Sequence, residues 1–178
     1  MAKATIVYIV DPDLGEVLMA KKVRKVGIGY YFGYGGEIED GESPEDCTVR
    51  ETKKESGGTI VLDKSKLQAI AHIRFFNKTE QNPLTDEPTF EVLCYRIFAK
   101  KADIGTPPTT NEMAEPIWFQ KGKIPFGTTL MKPGDELFVP NIIDGIYCKG
   151  YIHFTDDEKE VLSSSIELCG PQDLALAS

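Results

Sequence analysis

Apolar and β-branched residues recur in short runs, separated by clusters of Gly, Pro, Asp and Asn, a pattern that predicts a succession of short strands with few helices. Residues 5–10 and 17–20 flank Asp11-Pro12-Asp13-Leu14-Gly15 and predict a hairpin. Residues 23–36 turn to glycine, tyrosine and lysine and read as a loop crossed by a brief strand at 31–34. After an Asp40-Gly41 turn, Ser43 as N-cap, Pro44 at the first helical position and Glu45-Asp46 in the first turn predict a helix that Gly57-Gly58 ends. Residues 59–62, 67–76 and 90–98 read as strands, the last two joined by a polar, mobile hairpin loop at 77–88. Beyond Pro107-Pro108-Thr109-Thr110 come a strand at 115–120 carrying the single tryptophan, Trp118, and a second helix at 136–148 with Pro140 near its first turn. Residues 151–154 and 161–166 read as closing strands. The pattern makes one α/β domain of the α+β kind over residues 1–170, with a frayed tail at 171–178.

Composition narrows the classes of function. A chain of 178 residues with 41% apolar side chains is enough for one domain with a proper core. Its 28 acidic and 20 basic residues give a net charge of −8, which argues against gripping a long nucleic acid or an anionic membrane by bare electrostatics. No apolar run approaches a membrane span and the N-terminus lacks a secretory pattern, so a soluble, cytoplasmic protein is expected. Cys47, Cys94, Cys148 and Cys169 lie far apart with only His72 and His153 to assist them, which reads as small buried thiols rather than a zinc site or a disulfide framework. Nothing in the pattern speaks to oligomeric state.

The first helix is poor in apolar residues, Cys47 and Val49 being the clearest, and burial alone does not account for it. Its carboxylates do: Glu51 and Glu55 are four apart and project from one face, about 40° apart around the axis. Two acids so held can share a divalent cation, and an oxygen-only set suits magnesium or manganese.

Gly36, Glu42, Arg50, Glu51, Glu55 and Gly57 stand at the spacing G-x5-E-x7-R-E-x3-E-x-G. This resembles the Nudix box, the signature of hydrolases that cleave nucleoside diphosphates linked to another group. Thr5-Ile6-Val7, Lys21-Lys22, Gly105-Thr106-Pro107, Asn111-Glu112-Met113, Trp118-Phe119-Gln120 and Ile124-Pro125-Phe126 extend the likeness over about residues 4–155, to the MutT-like branch that hydrolyses oxidised purine nucleoside triphosphates. The resemblance implies the Nudix fold, a mixed β-sheet packed between α-helices. It also implies a magnesium site (manganese possible) made by Glu51, Glu55, Glu112 and the main-chain carbonyl of Gly35, with Arg50 holding the acids in place and Glu42 in support. Glu51 is the first choice for general base and Glu112 its rival, in an in-line attack of water on phosphorus that releases pyrophosphate. Without metal, clustered carboxylates of this kind are expected to repel.

The chain departs from the family's pattern in places. Lys54 stands where the box carries the first of two paired glutamates, about 60° from Glu51 around the helix. It either modifies the site, by replacing a metal, weakening metal binding or marking lost catalysis, or bends into solvent with the chemistry intact. Among the substrate positions that the resemblance implies, Thr5 and Lys21 agree with the branch, Phe32 replaces a base-reading asparagine, only Asp135 remains of an acid pair, and Lys132 replaces a pocket tryptophan. Lys21 either reaches a phosphate or sugar or belongs to a solvated basic rim at 21–25; Asp135 reads a base or caps the helix after it. Phe32, Phe90, Leu93 and Trp118 are pocket walls or core. The leading reading is hydrolysis of a small nucleoside triphosphate to monophosphate and pyrophosphate. A catalytically weakened nucleotide-binding module, a Nudix hydrolase of another nucleoside diphosphate derivative, and an acidic interaction domain stand as alternatives.

Overall fold

The computed structural model describes residues 2–24 and 27–174. Nine strands form one sheet: β1 (Ala2–Asp11), β2 (Glu16–Lys22), β3 (Tyr31–Phe32), β4 (Tyr34–Glu37), β5 (Gln68–Phe76), β6 (Phe90–Phe98), β7 (Met113–Gln120), β8 (Cys148–Phe154) and β9 (Val161–Leu168). Their order is β3-β2-β1-β6-β5-β8-β9, with β4 added to β1 and β7 to β2. The sheet is mixed, because β1 runs parallel to β6 and β5 parallel to β8 while the other pairs are antiparallel. Helix α1 (Pro44–Glu55) packs on one face against β1 and β4, and α3 (Val139–Asp144) covers the other; a single turn, α2 (Lys101–Ile104), follows β6. This is the expected mixed sheet between helices.

Alternation along the strands divides the core between the two faces. Tyr8, Val10, Val17, Met19, Ile73 and Phe75 meet Phe138, Val139 and Ile142 on the α3 side, while Val7, Ile9, Leu18, Ala20, Leu93 and Tyr95 form the core on the α1 side. The predicted first hairpin is present, and the Asp11 carboxylate closes it by accepting from the amides of Asp13 and Leu14. Strand β1 then changes partner along its length: residues 9–11 pair with β2 and residues 4–7 with β4. The sheet parts where it does so, next to α1, and a cleft opens there.

Two expectations are corrected. Residues 59–62 alternate out and in as a strand would, with Ile60 and Leu62 buried, yet they pair with no strand of the described chain. The helix read over 136–148 is three elements: a 3-10 turn at Asp135–Leu137, α3, and then β8 from Cys148. Gly145, at φ +74°, ends α3 in a left-handed cap whose N–H donates to the Asn141 and Ile142 carbonyls. The loop 77–88 is pinned to the β8–β9 turn, Thr79 N donating to Asp156 Oδ1 at 2.7 Å and Asn77 Nδ2 to Glu158 Oε1 at 2.6 Å. In the tail, Pro171–Asp173 form a 3-10 turn and Leu174 packs on the α1-side core, while 175–178 lie outside the described residues.

Candidate active site

The buried stripe of α1 is Cys47, Thr48, Glu51, Thr52 and Glu55, so its acids face inward together with small side chains. Ser43 sets the start of the helix, its Oγ accepting from Asp46 N at 3.2 Å. Gly36 lets the helix approach, since a Cβ there would lie 2.8 Å from Glu51 Cγ and Cδ, and Gly35 lets β4 lie close on β1, where a Cβ would strike the Thr5 carbonyl. Glu112 comes from the segment before β7, which Thr110 holds to the end of α1. The Thr110 hydroxyl donates to the Glu55 carbonyl at 3.1 Å and accepts from the Glu112 and Met113 amides at 3.3 and 3.1 Å.

One carboxylate oxygen from each of Glu51, Glu55 and Glu112 therefore falls within 4.8 Å of the others, all three residues buried. Among the described residues this is the single group of at least three His, Cys, Asp or Glu side chains arranged to hold a metal ion. Three oxygen donors fit magnesium or manganese. The acids do not stand unopposed. Arg50 grips Glu42 through Nε (2.7 Å) and Nη2 (2.8 Å), reaches the Glu37 carbonyl at 3.1 Å, and pairs through Nη1 with Glu51. Those hydrogen bonds lower the Glu42 carboxyl to about 2. Lys22 pairs with Glu55, whose other oxygen accepts from the Gly35 amide at 3.0 Å. Burial still pushes Glu55 above the usual carboxylate range, against the pull of Lys22. Lys54 is turned into the cluster rather than out to solvent, its Nζ 3.1 Å from Glu112 Oε1 and 3.4 Å from Glu51 Oε2.

From this cluster a pocket of about 360 Å³ runs across β1 and β6 to the α3 side. Phe32, Phe75, Phe90 and Phe138 wall it, with Phe75 and Phe90 stacked at 4.8 Å, and its inner end is made by Tyr8, Lys132 and Asp135. Asp135 is 3% exposed, burial pushes its carboxyl well above the usual range, and among the described residues its Oδ2 has no hydrogen-bond partner. It caps no helix: Gly134 occupies the N-cap of the 3-10 turn and Phe138 that of α3, neither with a side-chain bond. Lys132 is buried beside it, paired with Glu158 and 4.7 Å from the Phe154 ring centre.

The other expected positions divide between the pocket and other places. Thr5 lines the pocket, but its hydroxyl donates to Cys47 Sγ of α1 at 3.4 Å. Lys21 turns away from the acids to Glu115 at 2.6 Å, and Lys25 lies outside the described residues. Leu93 and Trp118 belong to the α1-side core, the indole N–H donating to the Gly105 carbonyl at 3.0 Å, whereas Phe32 and Phe90 line the pocket. Lys22 and Thr110 escaped the sequence reading. The parity of β2 marks Lys22, since Leu18 and Ala20 both face α1 and the next position in that series is 22.

The chain matches the NUDIX domain family over residues 1–142. It is 32% identical over 162 residues to an oxidized purine nucleoside triphosphate hydrolase of Mus musculus, covering 91% of this chain and 92% of that one. To the protein of the same name in Danio rerio it is 33% identical over 150 residues, covering 84% and 85%. A MutT protein from Bacillus halodurans superimposes with a TM-score of 0.66 at 21% identity, over 94% of this chain and 98% of its own, and so shares the fold. No helix among the described residues is long and apolar enough to cross a membrane. The carboxylates of α1 thus sit in the domain that their spacing suggested, and the chain belongs to the Nudix family.

Proposed function

We propose that this Nudix pyrophosphohydrolase converts a nucleoside triphosphate, with an oxidised purine nucleotide as first candidate, to the monophosphate and pyrophosphate, using Mg2+ or in its place Mn2+. The observation that carries the reading is continuity: one pocket has three clustered carboxylates at one end and an aromatic-walled, buried carboxyl group at the other. The substrate class follows the names of the mouse and zebrafish relatives. Glu51, Glu55 and Glu112 would hold the ion, with the Gly35 carbonyl as a further ligand. When bound, it offsets charge on the phosphate oxygens and the departing pyrophosphate.

The chain's own residues divide the remaining work. Arg50 and Glu42 fix Glu51, and Lys22 with the Gly35 amide fixes Glu55. Glu51 takes the proton of a water attacking phosphorus in line, with Glu112 as the rival base. Phe32, Phe75 and Phe90 offer stacking area to the base, and Asp135 reads its polar edge. Free thiols at all four cysteines accord with a reducing, cytoplasmic setting.

The test is pyrophosphate release from a panel of ordinary and oxidised nucleoside triphosphates with Mg2+ and with Mn2+, for the wild type and for Glu55→Gln. Turnover of at least one nucleotide is expected, lowered about a hundredfold or more in the variant because it removes a metal-holding charge. Retention of most activity in Glu55→Gln would sink the site assignment. Lys54 among the acids favours one second reading, a nucleotide-binding module with weakened catalysis, which binding without turnover across the panel would select.

A further inference from the structure

The cluster carries its own counter-ions, and one of them sits on two acids that line the pocket. Among the described residues the three carboxylates meet two ammonium groups, Lys22 on Glu55 and Lys54 on Glu51 and Glu112, while Arg50 on Glu51 is shared with Glu42 and Glu39. Ion-pairing of this kind removes much of the field that would draw in divalent ions.

The two lysines are placed differently. Lys22 has a 17% exposed side chain and is spent on Glu55. Lys54 is 47% exposed and could hydrate fully by swinging outward, yet it bends back to bridge α1 and the segment before β7. An ammonium has three N–H donors. Among the described residues Glu51 and Glu112 account for two, which leaves a third for an anionic oxygen, and lysine binds such an oxygen as a compact point charge.

We infer that Lys54 is a tethered cation: it fills one cation position of the Glu51–Glu55–Glu112 cluster, and its ammonium meets the substrate's phosphate oxygens where a divalent ion would otherwise stand. The inference rests on the metal reading above and adds to it that this chain takes up fewer divalent ions than its acids could hold. Lys54 acts by charge and position, with no bond made or broken at its nitrogen.

The decisive experiment counts Mn2+ bound to the protein alone, by the electron paramagnetic resonance of free Mn2+, in the wild type, Lys54→Met and Lys54→Glu. Lys54→Met is expected to lower the Mn2+ Kd by on the order of tenfold, and Lys54→Glu to add a bound ion, since each removes a repelling charge close to the ligands. Pyrophosphate release should move the other way, Lys54→Met losing roughly tenfold or more in kcat as the third donor is lost. A far-ultraviolet spectrum and melting curve verify that each variant is folded. Unchanged Mn2+ count and affinity would overturn the proposal. So would tighter Mn2+ binding with faster turnover, because that describes a lysine that only obstructs. Mn2+ binding by the wild type that disappears in Glu55→Gln but ignores Lys54 leaves the metal reading standing and removes only this inference. Absence of Mn2+ binding in every protein removes both.

Discussion

Asp135 places a single buried carboxyl group at the inner end of the pocket, and one of its oxygens lacks a partner among the described residues. A buried acceptor or donor left unpaired costs about 1–3 kcal/mol, a cost that a ligand offering the matching group relieves. Burial raises the carboxyl well above its usual range, against the pull of Lys132, and so shifts its balance toward the protonated form, which donates as well as accepts. Asp135→Ala is therefore expected to leave the protein folded and to compress discrimination between bases by about 10- to 100-fold in kcat/KM ratios, the poorest nucleotide being nearly unaffected. Measured across the nucleotide panel, an equal loss for every nucleotide would instead show a structural role. At this scale the sequence was uneven. That Glu51 and Glu55 share a face was readable because motif spacing on a helix fixes a face, and Glu112 was named because the resemblance reached it. Lys21 was named and Lys22 was not, although strand parity puts Lys22 on the side of α1, where it pairs with Glu55, and Lys21 with Glu115. The direction of Thr5 depended on the same parity: with Val7 and Ile9 it faces α1, where its hydroxyl meets Cys47.

Helix α1 bears the largest share of site geometry and has the least apolar surface to hold it in place. Its buried stripe includes two glutamates and two threonines, so its position depends on its ends and on the glycine strand beneath it. Ser43 Oγ accepts from Asp46 N and donates to Asp46 Oδ2 at 2.6 Å, and Lys64 reaches both residues. Ser43→Ala is expected to cost about 1 kcal/mol, the usual worth of an N-cap, and in a chain of this size to lower Tm by about 2–4 °C. Differential scanning calorimetry checks it, and a change below 1 °C would mean that the Lys64–Asp46 pair holds the end unaided. The start and end of α1 were legible because capping is local chemistry. Residues 59–62 and 136–148 were not, for different reasons. The first has a strand's alternation but no neighbour to pair with, and pairing is a tertiary fact. The second has apolar residues at helical intervals, but Gly145 stops α3 and residues 148–154 complete the sheet beside β5. A continuous apolar pattern does not by itself distinguish the end of a helix from the start of a buried strand.

Across the whole molecule the surplus of acids has consequences that depend on pH. Many carboxylates are held below their ordinary range by specific partners, Glu42 by Arg50, Asp46 by Lys64 and Asp63 by Ser65 among them, whereas buried Asp135 is displaced upward. The two classes act in opposite directions. A carboxyl lowered on folding stabilises the native state fully above its unfolded pKa, and that stability fades as pH falls through the folded value. A raised one makes the native state the tighter proton binder and favours it as pH falls. For Glu42 the window runs from the ordinary 4.5 down to about 2. Glu42→Gln, which loses the charged hydrogen bonds to Arg50, is expected to lower stability by about 1–3 kcal/mol at pH 7. The difference from the wild type should shrink below pH 4.5 and nearly vanish by pH 2. Urea unfolding at a series of pH values, without divalent ions, measures the two curves; parallel curves down to pH 2 would mean that the Arg50–Glu42 pair contributes no pH-linked stability. The net charge of −8 gives only the global sign of the molecule. What a ligand of the pocket would meet is local, and there Lys22, Lys54 and Arg50 are paired with the clustered acids Glu55, Glu51 and Glu112. An overall acidic balance therefore argues against long polyanions held by diffuse charge while remaining compatible with a short triphosphate, whose oxygens need only a few cations at fixed positions.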